Sequence, residues 1–457
     1  TTLGMATDQG KTSNINALGI LSDVLGVTIP DIGTTTFRPP YTPTTFGAIA
    51  GREPGDFLDV TRTTPMHDWH VEHGALFEDV GQWKRAWFYP KAGESMHAAV
   101  DRECRAVRES VGLLDASTLG KIIVKGPDAA EFLNRVYTNK WMKLGVGRCR
   151  YGLMLGEDGM IMDDGVSARV AEDEFLMTTT TGGAAGVLSH LEDYLQTEWT
   201  DLKVYLTSVT EQWAVASING PKARDLLAEL CDDVDLSPEA FKFMEWKEAT
   251  VAGLPARIFR ISFTGDLAFE VNVPADKGMA LWTALMTAGA KYGITPYGTE
   301  AMHVLRAEKG FIIVGQDTDG SLNPYDMDMG WIVGKDKADF IGKRSLTRKD
   351  MSEPMRKQYV GILTEDPKEV LPEGAQLVNV ADAPTTAAPK EPVPMQGHVS
   401  SSYWSSAAGR SIALGLVKGG MARKGETLVV PMPDGRNVKV TLGDTVFVDA
   451  EGARQHG

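Results

Sequence analysis

The residues best placed to do chemistry in this chain are carboxylates on predicted strands. Asp163 and Asp164 stand at the end of Tyr151–Gly165, Y-G-L-M-L-G-E-D-G-M-I-M-D-D-G. Two apolar runs flank Glu157-Asp158-Gly159, and an Asp-Gly pair between such runs favours a turn with positive φ. The stretch is therefore expected to be a β-hairpin whose second strand ends in the two aspartates. Successive strand side chains point to opposite faces. Asp164 then shares a face with Met160 and Met162, and Asp163 with Ile161 and Ser167. Both faces begin apolar, so at least one carboxylate should meet packed surface, where its charge needs a partner. Two readings stay open from the pattern: a solvated pair closing a strand, or a carboxylate held in a pocket to meet a cation or a polarised N–H. Glu270, mid-strand in A-F-E-V-N-V, poses the same choice. It can face water, or its two oxygens can accept from a ligand's paired N–H donors, a strong charge-assisted arrangement.

Other reactive residue types lead to less. His67, His70 and His73 are spaced by three and would be neighbours on a helix. They read better as helix-surface or interface residues than as a metal site, and no metal is expected. Cys104, Cys149 and Cys231 are far apart and odd in number, which fits a reducing, cytoplasmic setting and gives no disulfide framework. No P-loop, G-x-S-x-G or H-E-x-x-H occurs, and no G-x-G-x-x-G follows a strand, so this stretch of chain is not expected to bind a dinucleotide itself.

The elements that must position the carboxylates show a repeat. A strand at Gly120–Val124 leads through Gly126-Pro127-Asp128-Ala129 into a helix at Ala130–Tyr137. A strand at Trp213–Ile218 leads through Gly220-Pro221-Lys222-Ala223 into a helix at Arg224–Cys231. The segments G-P-D-A-A-E-F-L and G-P-K-A-R-D-L-L lie 94 positions apart, which predicts two similar α+β units. Further strands are expected at Glu174–Thr180, Ala256–Phe263 and Ala268–Val273, with Phe263-Thr264-Gly265-Asp266 as a hairpin turn. Helical spacing covers Met96–Val111, Met279–Tyr292 and Gly298–Gly310, and Asp339–Lys343, D-F-I-G-K, reads as a turn entering a helix. From Tyr359 the pattern changes to short β segments around a low-complexity loop, Val380–Met395, which predicts a small barrel or sandwich. Residues 1–60 read as a connecting arm, with a short helix at Ile15–Leu25, an extended Pro-rich run at Thr34–Thr45 and a turn-rich break at Gly51–Gly55.

At 457 residues, with 43% apolar and 23% charged residues, the chain can bury several cores. A net charge of −15 argues against nucleic acid or an anionic membrane as the main partner. No apolar run approaches the roughly 20 residues that span a bilayer, and the N-terminus has no secretory pattern.

The motifs together resemble the aminomethyltransferase family, typified by the glycine-cleavage T-protein, over residues 60–457. They are Thr64-Pro65, L-D-A-S-T-L-G-K at Leu114–Lys121, the G-P-D-A turn and the D-D hairpin. They continue with F-T-G-D-L-A-F-E at Phe263–Glu270, L-R-A-E-K-G at Leu305–Gly310, and D-F-I-G-K. The segments M-A-T-D-Q-G-K-T-S-N, T-F-R-P-P-Y-T-P and L-R-A-E-K-G-F-I-I-V-G-Q-D narrow the resemblance to the α subunits of heterotetrameric amine oxidases that act on sarcosine.

That resemblance implies an α+β fold: two ferredoxin-like-type units and a C-terminal β-barrel, three domains around a central folate channel. The expected boundaries are an arm at 1–60 that joins a dinucleotide-binding half not present in this chain, a folate-binding region at 61–350, and a barrel domain at 351–457. It implies tetrahydrofolate as cofactor, with FAD, FMN and NAD elsewhere in a complex with a flavin-bearing β subunit and small γ and δ subunits. Asp164 matches the family's catalytic carboxylate, Tyr151 a pocket tyrosine, and Glu270 the acceptor of the pterin N–H fork. Thr180 falls where the T-protein has a folate-contacting asparagine. Phe263 and Phe311 fall on two of its tyrosines and Met302 on an arginine, while Phe447–Gly457 lacks a late aromatic contact. The implied reaction captures a one-carbon unit as 5,10-methylenetetrahydrofolate with release of glycine. Alternatives are a folate-dependent aminomethyltransferase or demethylase acting on another methylated amine or sulfonium, and a non-catalytic folate-binding assembly module.

Overall fold

The computed structural model describes residues 22–28, 59–386 and 391–457. The chain divides into Thr1–Val60 and Thr61–Gly457. In the first part residues 22–25 are helical. The rest of the helix expected at 15–25, the Pro-rich run and the break at 51–55 lie outside the described residues, as do positions 387–390 of the low-complexity loop.

The second part opens with α1 (His67–Glu72), the hairpin β1 (Leu76–Val80) and β2 (Trp83–Phe88), α2 (Met96–Glu109) and β3 (Gly112–Asp115). The first α+β unit follows: β4 (Gly120–Lys125), α3 (Ala129–Val136), β5 (Cys149–Leu155), β6 (Ile161–Ala171), β7 (Glu174–Thr179), α4 (Ala184–Thr197) and β8 (Tyr205–Ser208). Its sheet runs β5-β6-β7-β4-β8. The second unit repeats that element order: β9 (Trp213–Asn219), α5 (Ala223–Ala228), β10 (Trp246–Val251), β11 (Leu254–Phe259), β12 (Ala268–Pro274), α6 (Gly278–Gly289) and β13 (Thr295–Pro296). Its sheet runs β10-β11-β12-β9-β3-β13, the same arrangement with β3 inserted beside the last strand. Each sheet is a four-stranded ferredoxin-like core with one added edge strand, and the second also holds β3.

The glycine that opens each G-P turn explains why the motif recurs. Gly126 has φ +141° and Gly220 φ +122°. A Cβ on Gly126 would stand 2.1 Å from the carbonyl oxygen of Lys203, and one on Gly220 would stand 2.5 Å from those of Val107 and Ser110. Only glycine tolerates both the conformation and the approach. The turn then lays each short helix on its sheet. Phe132, Leu133 and Val136 pack against Ile122, Val124 and Phe175, and Leu226 and Leu227 against Ile218 and Val271.

Six strands form the C-terminal body: β14 (Lys357–Thr364), β15 (Gln376–Asn379), β16 (Met395–Ser405), β17 (Arg410–Lys418), β18 (Thr427–Pro431) and β19 (Asn437–Gly443). β14 pairs with both β17 and β19, so the sheet closes into a barrel rather than a sandwich. Val360, Ile362, Val399, Leu428 and Val440 fill it.

Helix α7 (Thr299–Glu308) joins the barrel to the rest of the protein through two buried charges. Arg306 pairs with Asp317 and donates to Ser401 Oγ at 2.6 Å, and Asp317 accepts from Ser400 Oγ at 2.6 Å. Glu308 accepts from Ser405 Oγ at 2.6 Å and pairs with Arg108 of α2. Arg108 also pairs with Asp266, which binds Arg454 of the short terminal helix α8 (Ala453–His456).

Several sequence-based expectations need correction. D-F-I-G-K leads only into 3-10 turns, Ser345–Thr347 and Lys349–Ser352. Ile341 N–H donates to Arg135 O and Ser345 Oγ to Glu157 O, so this segment is tied to the first unit residue by residue. The strand expected to Phe263 stops at Phe259, where Arg260 turns its buried guanidinium onto the carbonyls of Ala268 and Gln455. The two aspartates lie near the start of β6, which runs on to Ala171 because β5 and β7 pair with it. His70 is a core residue rather than a surface one: it binds Asp115 Oδ2 at 3.1 Å and Tyr89 OH at 2.9 Å. No described helix is long and apolar enough to cross a membrane.

The buried charges on α7 set an expected outcome. Arg108→Ala leaves Glu308 in the interior without a cation and Asp266 with Arg454 alone, and should lower stability by about 3–5 kcal/mol. Denaturant unfolding measures this.

Candidate active site

The hairpin β5–β6 forms as expected, with its turn at Gly156–Met160, and it walls a cavity of about 1540 Å³. The other walls come from the ends of β7, β9 and β12, the loop 261–264, one face of α7, and the loops 310–316 and 327–334. All six sequence-nominated residues, Tyr151, Asp164, Thr180, Phe263, Glu270 and Phe311, line this one space, and so does Met302.

Face alternation separates the two aspartates. Asp163 is buried and fully engaged. Its Oδ1 accepts from the N–H groups of Asp164 at 2.7 Å and Thr180 at 3.1 Å, and its Oδ2 accepts from Thr180 Oγ1 at 2.9 Å. Asp164 points into the cavity. Among the described residues its one side-chain partner is Tyr151, whose hydroxyl donates to Oδ2 at 2.6 Å. Tyr151 reaches it because Leu153 lies opposite Asp164 in the register, which places Tyr151 diagonally across on the same face. The Tyr151 carbonyl is held by Asn139 Nδ2 at 2.7 Å. Burial, opposed by the Tyr151 hydrogen bond and helped by the neighbouring Asp163 charge, pushes the Asp164 carboxyl up to about 7. Such a group exchanges a proton at neutral pH.

Glu270 enters from the second unit, on β12 beside β9 and β11. Among the described residues its carboxylate has no hydrogen-bond donor. Burial pushes it up to about 7, partly offset by Lys121. Lys121 is itself buried and donates to the carbonyls of Ser117 and Leu119, both at 2.9 Å. Burial brings its pKa down to about 8. An acceptor facing open space without a donor is suited to a ligand that brings its own N–H groups. Phe263 and Phe311 stack on each other, ring centroids 6.2 Å apart and planes 25° from parallel, and give the cavity a flat apolar wall.

Thr180 lines the cavity, but its hydroxyl is committed to Asp163 and accepts from Gly183 N–H at 3.1 Å, so it locks the aspartate pair. Sequence reasoning passed over Asn139, Lys121 and Arg85. Lys121 closes the L-D-A-S-T-L-G-K motif, which could have drawn attention to it; Asn139 and Arg85 carry no such signal. Among the described residues no group of three or more His, Cys, Asp or Glu side chains is arranged to hold a metal ion.

Comparison with known proteins adds to this geometry. Residues 66–337 match the family described as the GCVT N-terminal domain, and 357–449 the glycine cleavage T-protein C-terminal barrel domain. Residues 1–52 match the sarcosine oxidase A3 domain. The chain is 55% identical, over its whole length, to 47% of the sarcosine oxidase subunit alpha of Corynebacterium sp. (strain P-1). It thus spans about half the length of that relative. It is 30% identical over 83% of its length to the aminomethyltransferase of Thermotoga sp. (strain RQ2), covering 96% of that protein. Its fold is similar to the crystal structure of glycine cleavage system aminomethyltransferase T from Bartonella henselae, with a TM-score of 0.72 and 24% identity, over 85% of this chain and 98% of that one.

The raised carboxyl groups have a consequence for stability. The folded pKa of Glu270, about 7, lies above its unfolded value, so its charged form is disfavoured in the folded state. The stability tied to its neutral form is complete below about pH 4 and is lost as pH rises through about 7. Glu270→Gln removes that dependence, and should raise Tm relative to wild type at pH 8 with little gain at pH 4.5, read by calorimetry at both values.

Proposed function

The chain belongs to the aminomethyltransferase family typified by the glycine cleavage T-protein, and from that premise we propose that it passes a one-carbon unit from an oxidised N-methyl amine to tetrahydrofolate. The observation that carries this reading is the pairing, in one cavity, of a carboxyl poised near neutrality with a second carboxylate that has no donor of its own. A cavity of about 1540 Å³ has room for a folate.

Tetrahydrofolate, when bound, supplies the nucleophilic nitrogens that take up the one-carbon unit and carry it away as 5,10-methylenetetrahydrofolate. Glu270 holds the pterin end through its two free oxygens. Phe263 and Phe311 offer flat apolar contact and help exclude water. Asp164, ionised, faces the cation that develops as the amine departs, and it takes the proton released when the second nitrogen bonds carbon. Tyr151 steadies the Asp164 carboxylate by donating to it. Asp163, pinned by Thr180, fixes the strand that carries Asp164 and keeps its proton affinity high.

The extensive identity to a sarcosine oxidase subunit alpha supports sarcosine as the source of the amine and glycine as the released product. On this reading the oxidation occurs on a flavin-bearing β subunit, with small γ and δ subunits completing the complex. FAD, FMN and NAD are then held outside this chain.

Asp164→Ala should slow formation of 5,10-methylenetetrahydrofolate from sarcosine and tetrahydrofolate by roughly 100-fold or more in the assembled complex. A wild-type rate would remove Asp164 from the mechanism. Glu270→Gln should mainly weaken tetrahydrofolate binding, seen as a larger change in KM than in kcat.

A further inference from the structure

Arg85 is a cation inside this cavity that the reaction described above does not use. It lies on β2, between Trp83 and Trp87, and lines the cavity together with Glu78, Met302 and His303. Its Nε is buried without an acceptor, and among the described residues its guanidinium makes no hydrogen bond or ion pair. An arginine in this state is costly: its Nε is cut off from water without an acceptor, and only the fields of Glu78 and Asp115 offset its charge. Burial pulls its pKa down accordingly.

The neighbouring charges narrow what it can receive. Glu78 stands directly opposite Arg85 in the β1–β2 register, yet no ion pair joins them. Asp115, the other nearby carboxylate, is committed to His70 and to Ser117 N–H. His303 carries no competing charge, since burial and the charges of Arg306 and Arg85 bring its pKa down to about 3. Farther along the cavity wall stand Asp163, Asp164 and Glu270. A dianion such as phosphate would face this acidic lining with a single guanidinium to offset it. One carboxylate matches the charge, and its two oxygens match the planar fork of an arginine.

We propose that Arg85 is the anchor for a carboxylate of a molecule bound in this cavity. Resting on the folate reading above, two sources share this chemistry: the glutamate end of tetrahydrofolate and the carboxylate of the sarcosine-derived donor. Either way Arg85 fixes how far the bound molecule extends from the Asp164 end, and it is a specificity residue rather than a proton carrier.

The test compares wild type, Arg85→Met and Arg85→Lys in the full chain. Calorimetric titration is run with tetrahydrofolate, with tetrahydropteroate, which has the same ring system without the glutamate, and with sarcosine. If the anchor serves folate, Arg85→Met weakens tetrahydrofolate roughly tenfold to a hundredfold and leaves tetrahydropteroate unchanged. If it serves the donor, both folates bind as before and sarcosine binding is lost. Arg85→Lys, which keeps the charge without the fork, falls between in the affected arm. Thermal melting of the same variants provides the structural control. Removing an unpaired buried cation should leave Tm unchanged or raise it. A lowered Tm with all three ligands bound as in wild type would make Arg85 a structural residue and overturn the inference. Failure of wild type itself to bind either folate would instead overturn the folate reading, while the sarcosine arm still decides for or against Arg85.

Discussion

Two buried charges two residues apart on α7 hold this protein together. Arg306 reaches the barrel through Asp317 and the serines of β16, and Glu308 reaches α2 through Arg108. Neither charge can be left alone in the interior, because an uncompensated buried ion costs several kcal/mol. The helix is thus fixed in rotation and in height between its neighbours. Met302 and His303, one turn before Arg306 on the same face of the helix, line the cavity. The same ionic ties that join the barrel to the two α+β units therefore also set one wall of the site.

The site depends on the opposite treatment of charge. Asp317, Glu308 and Asp266, the carboxylates that anchor α7 and α2, each have a cation and further donors. In the cavity, among the described residues, Asp164 has one hydroxyl and Glu270 only the charge of Lys121, with no hydrogen bond. Desolvation without full pairing is what pushes both carboxyls toward neutrality. The strain is carried by a rigid frame: paired strands behind Asp164, a locked Asp163 beside it, and the β9–β12 pair behind Glu270.

Much of the frame was legible in the sequence because it rests on local rules. The two G-P turns announced two similar units, and each does need its glycine at positive φ. The Asp-Gly turn announced the hairpin, and face alternation separated Asp163 from Asp164. The resemblance then chose between them, which periodicity could not do. What stayed hidden depends on contacts made far along the chain. Thr180 was nominated for a ligand, but its hydroxyl is spent on Asp163 across the sheet. Arg85 sits in a strand of aromatic and basic residues whose pattern says only that it is half-buried. D-F-I-G-K looked like a helix entrance, yet the Ile341 N–H bonds to Arg135 and the Ser345 hydroxyl just beyond the motif bonds to Glu157, both in the first unit, and such ties overrule local propensity. The extra strand in the second sheet was equally invisible, since β3 precedes both units in sequence.

That inserted strand bears on how the molecule can be made. β3 lies between β9 and β13, so Gly112 pairs with Asn219 on one side and Thr295 on the other. The first unit is synthesised entirely between β3 and the strands that will enclose it. On a growing chain, β3 must wait without neighbours while a whole sheet forms after it, and its parallel partner arrives last. Closing so long a loop is slow. The two repeats are therefore bound into one folding event, and neither can be shed, swapped or inherited without the other. The cavity, which needs walls from both, cannot exist half built.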